Sequence, residues 1–161
     1  SPYQIGKELG DEMTAASTVV KSGPRLEQAL ATIGQLRDRF SRVRLGDSST
    51  WTNQSLAYTR AVGDMLVLAE SMLLTGLMRE ESRGSHYRSD FTARNDERFM
   101  KSSVSEFLPA GGIGKPAHRV FYRDTDAPLV KPRLRNYGAV GGAGGSDKMP
   151  DAAKQPAATS V

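Results

Sequence analysis

The sequence predicts a mainly α protein: a three-helix antiparallel bundle, then a short helix, a small β-hairpin and a disordered C-terminal tail. Three observations carry this. Apolar residues recur at helical spacing in three stretches separated by glycine, proline and serine breakers. Aromatic residues are few, with one Trp, five Tyr and five Phe, so the core must be Leu, Met, Val, Ile and Ala, which suits helices better than a sheet. From Gly138 onward the chain is Gly, Ala, Pro and Ser with almost no apolar bulk, a composition that cannot offset the entropy of ordering.

The first helix is expected from Pro2 to Val20, with Ile5, Leu9, Met13 and Val20 as its stripe and Pro2 in the first turn, where a missing N–H costs nothing. Ser22-Gly23-Pro24 breaks and restarts the chain. The second helix is expected over Pro24 to Arg44, with a seam of Leu26, Leu30, Ile33, Phe40 and Val43, and with Arg25, Glu27, Arg37, Asp38 and Arg42 on the other face. Gly46 would end it. The third, from Thr50 or Thr52 to Glu81, is apolar around more than one stripe between Met65 and Leu77, as for a central helix contacted on several sides. Gly84 would close it, with Arg79 and Arg83 at its negative end, while Gly63 and Gly76 inside it mark close helix packing. Beyond Gly84, Ser85 to Arg94 has no period. Asn95 caps a short helix over Asp96 to Lys101. Val104 to Phe107 and Arg119 to Arg123 read as two strands across a Gly- and Pro-rich loop, 109–116. Leu129 to Tyr137 reads as extended. The expected units are thus a spectrin-repeat-like bundle with its polar connection, 2–101, a hairpin and basic segment, 102–137, and a disordered tail, 138–161.

Composition excludes several chemistries. Without cysteine there are no disulfides, thiolate nucleophiles or thiolate metal sites. No apolar run reaches the roughly 20 residues of a membrane span, and the N-terminal residues lack a signal-peptide pattern. The net charge of +4 is concentrated: residues 115–137 carry six basic side chains against Asp124 and Asp126, whereas residues 1–114 balance at fourteen each way. Six basic residues without interleaved stacking motifs are weak grounds for nucleic-acid binding. Gly111-Gly112-Ile113-Gly114 meets Pro116 rather than a helix, so it is not a phosphate cradle. His86 and His118 lie in different elements and make no metal pair.

One segment stands apart. Between Glu81 and Arg98, guanidinium forks, an imidazole, a phenol and carboxylates are packed together: Glu81, Arg83, His86, Tyr87, Arg88, Asp90, Arg94 and Asp96. Such groups can pin irregular backbone near a core through ion pairs and hydrogen bonds, or they can contact a ligand. Chemistry alone favours the first, because irregular backbone needs side-chain partners.

This segment resembles the C-terminal domain of the flavoprotein subunit of succinate dehydrogenases and fumarate reductases. Glu81-Ser82-Arg83-Gly84-Ser85-His86-Tyr87-Arg88, Asp90-Phe91, Arg94-Asn95-Asp96 and Phe99-Met100-Lys101 carry the resemblance, with Thr92 and Ser85 as departures. Lys7-Glu8-Leu9-Gly10-Asp11-Glu12-Met13 resembles that family's first helix, and Trp51 to Gln54 with Met65 to Ala69 its long helix. Leu129 to Tyr137 resembles its closing segment, so the likeness covers about residues 2–137 and is nearest to a Bacillus-like branch.

The resemblance implies succinate–fumarate interconversion coupled to quinone in a whole subunit, and FAD held by a flavin-binding domain absent here. Its partners would be the flavin-binding and capping domains, an iron–sulfur subunit and a membrane anchor. Its place would be cytoplasmic, or peripheral on the cytoplasmic face of the inner membrane. It implies no catalytic, cofactor-binding or metal residue in this chain, no nucleic acid, and no membrane insertion. The polar cluster is then expected to be structural or interdomain. The alternatives are a stand-alone helical interaction module or the C-terminal half of a split subunit.

Overall fold

The computed structural model describes residues 1–108, 118–126 and 129. Ser1–Thr125 form one compact unit. The loop 109–116, the tail 138–161 and, apart from Leu129, the extended segment to Tyr137 lie outside the described residues.

Helix α1 (Pro2–Ser17) starts with proline in its first turn and buries Ile5, Leu9 and Ala16. It stops before Val20, which is not in the apolar stripe but 58% exposed in a short strand, β1 (Val20–Lys21). The β-branched pair Val19-Val20 favours extended backbone over a further helical turn. Helix α2 (Gly23–Phe40) begins one residue early and ends before Arg44. The amides of Arg42 and Val43 bond to Arg39 and Phe40, a tightened i−3 pattern that ends the helix before Gly46. Its core residues are Leu26, Ala29, Ile33 and Leu36, with Leu30, Phe40 and Val43 half-buried at the edge. Arg25 and Arg37 do not sit on a free solvated face. Arg25 pairs with Glu12 of α1 at 2.6 Å, and Arg37 pairs with Glu70 of the third helix.

Helix α3 (Gln54–Met78) is capped by Asn53, whose side chain accepts the Leu56 amide at 2.8 Å. Val62, Leu66, Ala69 and Leu73 face the core shared by all three helices. A methyl group on Gly63 would lie 3.1 Å from the Phe40 ring, so the two helices approach closely there. Gly76 is buried, but a β-carbon there would meet only ordinary contacts. The helix ends at Met78, and Gly84 is not its cap. Gly84 adopts φ +60° inside the tight turn bridging Arg83 and His86, a conformation that favours glycine. By length and composition alone α3 would suffice to cross a bilayer, a test that a bundle's core helix also passes, although no stretch of it reaches roughly 20 residues without a charge. Leu68 and Met72 on it are 61% and 54% exposed.

The stretch after α3 is more ordered than its sequence implies. Strand β2 (Tyr87–Arg88) pairs in parallel with β1, Val20 opposite Tyr87 and Lys21 opposite Arg88. The Tyr87 amide donates to Val19 at 3.3 Å and the Ser89 amide to Lys21 at 2.9 Å. Helix α4 (Asp96–Phe99) is the single turn that Asn95 caps, shorter than the expected run to Lys101. The hairpin is present: β3 (Lys101–Phe107) and β4 (His118–Asp124) run antiparallel with Val104 opposite Phe121. It is fastened to the end of α3 by the Tyr122 hydroxyl, which donates to the Met78 carbonyl at 2.7 Å, and to α4 by the Tyr122 ring, edge-on to buried Phe99 at 5.6 Å.

Leu66→Ala, at a 1% exposed position, should cost about 2–5 kcal/mol in chemical denaturation. Leu68→Ala, at 61% exposure, should cost about 0.5 kcal/mol or less.

Candidate functional site: the polar connection after α3

The polar residues after α3 form two linked networks. The first surrounds Glu81, whose side chain is wholly buried. Its carboxylate accepts from Arg79 Nη1 at 2.5 Å, from Arg83 Nε at 2.8 Å and Nη2 at 3.1 Å, and from the Asn95 amide at 2.9 Å. Asp96 extends it, accepting from Arg83 at 2.5 Å and from Arg94 at 2.6 Å. Burial pushes the Glu81 carboxyl up, but the hydrogen bonds from Arg83, Asn95 and Arg79 outweigh it and hold the group below the ordinary carboxylate range. Asp96 is held low chiefly by Arg83, against desolvation, with Arg94 helping.

The second network centres on Arg88, 2% exposed. Its guanidinium meets Asp90 with two parallel bonds, Nε to Oδ1 and Nη2 to Oδ2, both at 2.7 Å. Its remaining nitrogen, Nη1, donates to the carbonyls of Gly76 at 2.8 Å and Leu77 at 2.9 Å. Those carbonyls belong to the last turn of α3, which has no intrahelical donor for them. Asp90 Oδ2 in turn accepts the Gly23 amide at 2.8 Å, at the start of α2, where Ser22 supplies no side-chain cap. One arginine–aspartate pair therefore closes the C-terminus of α3 and the N-terminus of α2, each with the sign of charge that the helix dipole favours. Hydrogen bonding from Arg88, aided by the amides of Gly23 and Asp90 and opposed by desolvation, holds the Asp90 carboxyl well below the usual range. A β-carbon on Gly23 would lie 3.0 Å from the Asp90 carboxylate and 3.2 Å from Arg88 Nη2, so a side chain there would push against this pair.

His86 and Tyr87 play smaller parts. The His86 ring lies 3.2 Å from the Arg79 carbonyl, and burial, with Lys21, Arg88 and Arg79 nearby, pushes its pKa down. Tyr87 enters through its backbone, in β2. All eight expected residues thus fall in one connection. Arg79, Ser82 and Gly23 are members that sequence reasoning did not assign to it. Arg79 holds Glu81, the Phe99 carbonyl at 3.0 Å and the Lys101 carbonyl at 2.5 Å, and stacks 5.7 Å from the Phe99 and Tyr122 rings. Its position just beyond the last turn of a long helix was the available signal. Ser82 knits backbone: its hydroxyl donates to the Phe91 carbonyl at 2.8 Å and accepts the Arg88 amide at 2.9 Å.

The chemistry of the arrangement is closure. Its donors are aimed at carboxylates of the connection and at carbonyls of the connection and of the elements that flank it, and neither of two surface clefts is lined by any of the eight residues. Among the described residues no three His, Asp or Glu side chains could share a metal ion.

Asp90→Ala would leave Arg88 buried without its carboxylate and expose the α2 amide. It should cost about 3–5 kcal/mol, lowering the melting temperature by about 10 °C or more. Acidification should destabilise the chain. His86, Glu81, Asp90 and Asp96 have folded pKa values below their unfolded ones, so their contribution is complete above the unfolded values and lost as pH falls. Melting temperature should decline from about pH 6.5 and steeply below about pH 4.5, and a rise on acidification would contradict the network.

Comparison with known proteins places this geometry. The family described as the fumarate reductase flavoprotein C-terminus matches residues 6–137. The succinate dehydrogenase flavoprotein subunit of Bacillus subtilis is 36% identical over 84% of this chain and 22% of its own length. The fumarate reductase flavoprotein subunit of Escherichia coli is 32% identical over 94% of this chain and 24% of its own. Among solved structures, an Escherichia coli quinol fumarate reductase mutant superposes with a TM-score of 0.76 at 28% identity, over 83% of this chain and 22% of that one. The chain thus spans about a fifth of the length of these relatives. It belongs to the fumarate reductase flavoprotein C-terminal family, the C-terminal domain of succinate dehydrogenase and fumarate reductase flavoprotein subunits.

Proposed function

We propose that this chain serves as the C-terminal domain of a flavin-dependent succinate dehydrogenase or fumarate reductase flavoprotein subunit, packing against the flavin-binding domain and catalysing nothing alone. The whole subunit would interconvert succinate and fumarate in exchange with quinone. It would do so beside an iron–sulfur subunit and a membrane anchor, peripheral on the cytoplasmic face. The observation that carries the reading is the family match across 6–137, which includes the entire polar connection.

The family is one of flavoproteins, and FAD is the group that the rest of the subunit would hold. The residues here do not fit it. A dinucleotide needs free amides at a glycine-rich turn from strand to helix. At the turn from β1 into α2, the Gly23 amide is taken by Asp90, and the space beside it is filled by that carboxylate and Arg88. The eight polar residues therefore act in this reading by rigidifying the connection, so that the bundle and hairpin are presented to the flavin-binding domain as one body.

The purified 161-residue chain should show no flavin absorbance and no succinate-dependent dye reduction. The intact subunit should show both. Stoichiometric flavin binding by the chain alone would overturn the proposal.

A further inference from the structure

Helix α3 presents two apolar faces, and only one is used. Val62, Leu66, Ala69 and Leu73 are 4% exposed or less in the bundle core. Beside them Met65, Leu68 and Met72, spaced i, i+3 and i+7, share a second stripe at 39%, 61% and 54% exposure. Ala61 continues this stripe, and the exposed Asp64, one turn before Leu68, borders it. This second face is why α3 has the composition of a membrane span.

Lipid is a poor occupant. A spanning helix is surrounded by hydrocarbon or other spanning helices, whereas α3 is tied into a polar-faced bundle. Asn53 caps one end, the buried Arg88 holds the carbonyls of the other, and Glu70 on its flank pairs with Arg37. A second copy is also a poor occupant. Three side chains at these exposures offer on the order of 300 Å², well short of the ~800 Å² per partner that a stable dimer buries. A small apolar contact is sufficient when the partner is covalently attached, because the effective concentration is then high. The relatives supply such a partner: roughly four-fifths of their length has no counterpart here.

We infer that the Met65–Leu68–Met72 face of α3 is the surface on which the flavin-binding portion of the same subunit docks. The inference rests on the functional reading above and assigns the contact to this apolar stripe rather than to the polar connection, whose groups are already bonded within the chain.

Methionine oxidation tests it without altering the sequence, because an exposed thioether is converted to the sulfoxide by dilute peroxide and a covered one is protected. In the isolated chain Met65 and Met72 should oxidise readily. In the intact, flavin-loaded subunit both should slow by about tenfold or more. Equal rates in chain and subunit would overturn the inference while leaving the functional reading intact. An intact subunit that binds no flavin and oxidises no succinate would instead overturn the functional reading. A second measurement uses Leu68→Asp with Met72→Asp. The isolated double variant should melt within a few degrees of the parent chain, since both positions are exposed, and the intact subunit carrying it should lose protection at Met65. Unchanged protection would count against the inference. So would protection of the isolated chain that grows with its own concentration, or that appears only on adding anionic phospholipid vesicles, because these name a second copy or a bilayer as the occupant.

Discussion

Arg88 is a charged side chain placed where a protein ordinarily keeps leucine, and the arrangement around it is organised by that fact. A buried guanidinium is tolerated only if its charge is matched and its N–H groups are bonded. Asp90 supplies the charge, and the last carbonyls of α3 supply acceptors. Asp90 can do this because its second function, receiving the amide of Gly23, brings the start of α2 to the same point. The parallel pairing of β1 with β2 holds the backbone that carries Arg88 beside the chain entering α2. Two helix ends, two strands and a glycine are thereby fixed by one ion pair whose individual bonds are ordinary in length.

The helices were legible because periodicity and caps are local. Asn95 capped its helix as its sequence position implies, and the stripes of Ile5 and Leu9, of Leu26 and Ile33, and of Leu66 and Leu73 became the core. The ends were less legible. Val20 continues an apolar spacing yet leaves the helix, because the residues on either side of it pair with a strand distant in sequence, Val19 accepting the Tyr87 amide and Lys21 the Ser89 amide. No local signal marks a two-residue strand with a remote partner. Gly84 was read as a helix terminator and is a turn residue in the left-handed region, so residue type was informative and its assignment to an element was not. The polar cluster was visible as a concentration of charge. Its division into one network around Glu81 and another around Arg88 depends on which carbonyls lie nearby, and only the fold provides that.

The unit separates two kinds of surface. Glu81 and Arg88 are buried around the connection, where they are bonded to its other charged groups and to the end of α3, while an apolar strip of its longest helix faces outward. Arg79 joins the two regions, since it lies at the end of α3, holds Glu81, and sits over the rings of Phe99 and Tyr122 that anchor the hairpin.

The spacing within the connection has a consequence for how it can vary. Arg79 with Glu81, Glu81 with Arg83, Arg88 with Asp90, and Arg94 with Asp96 are all pairs separated by two residues. In extended chain, residues two apart point to the same side, and closing so short a loop costs little entropy. These pairs therefore close short local loops, and the longer-range bonds to Gly23, Gly76 and Leu77 tie that ribbon to the helices. The same arithmetic makes parity a constraint on the sequence. Changing a side chain removes one partner, but inserting or deleting a single residue inside a pair turns the two charges to opposite sides of the chain.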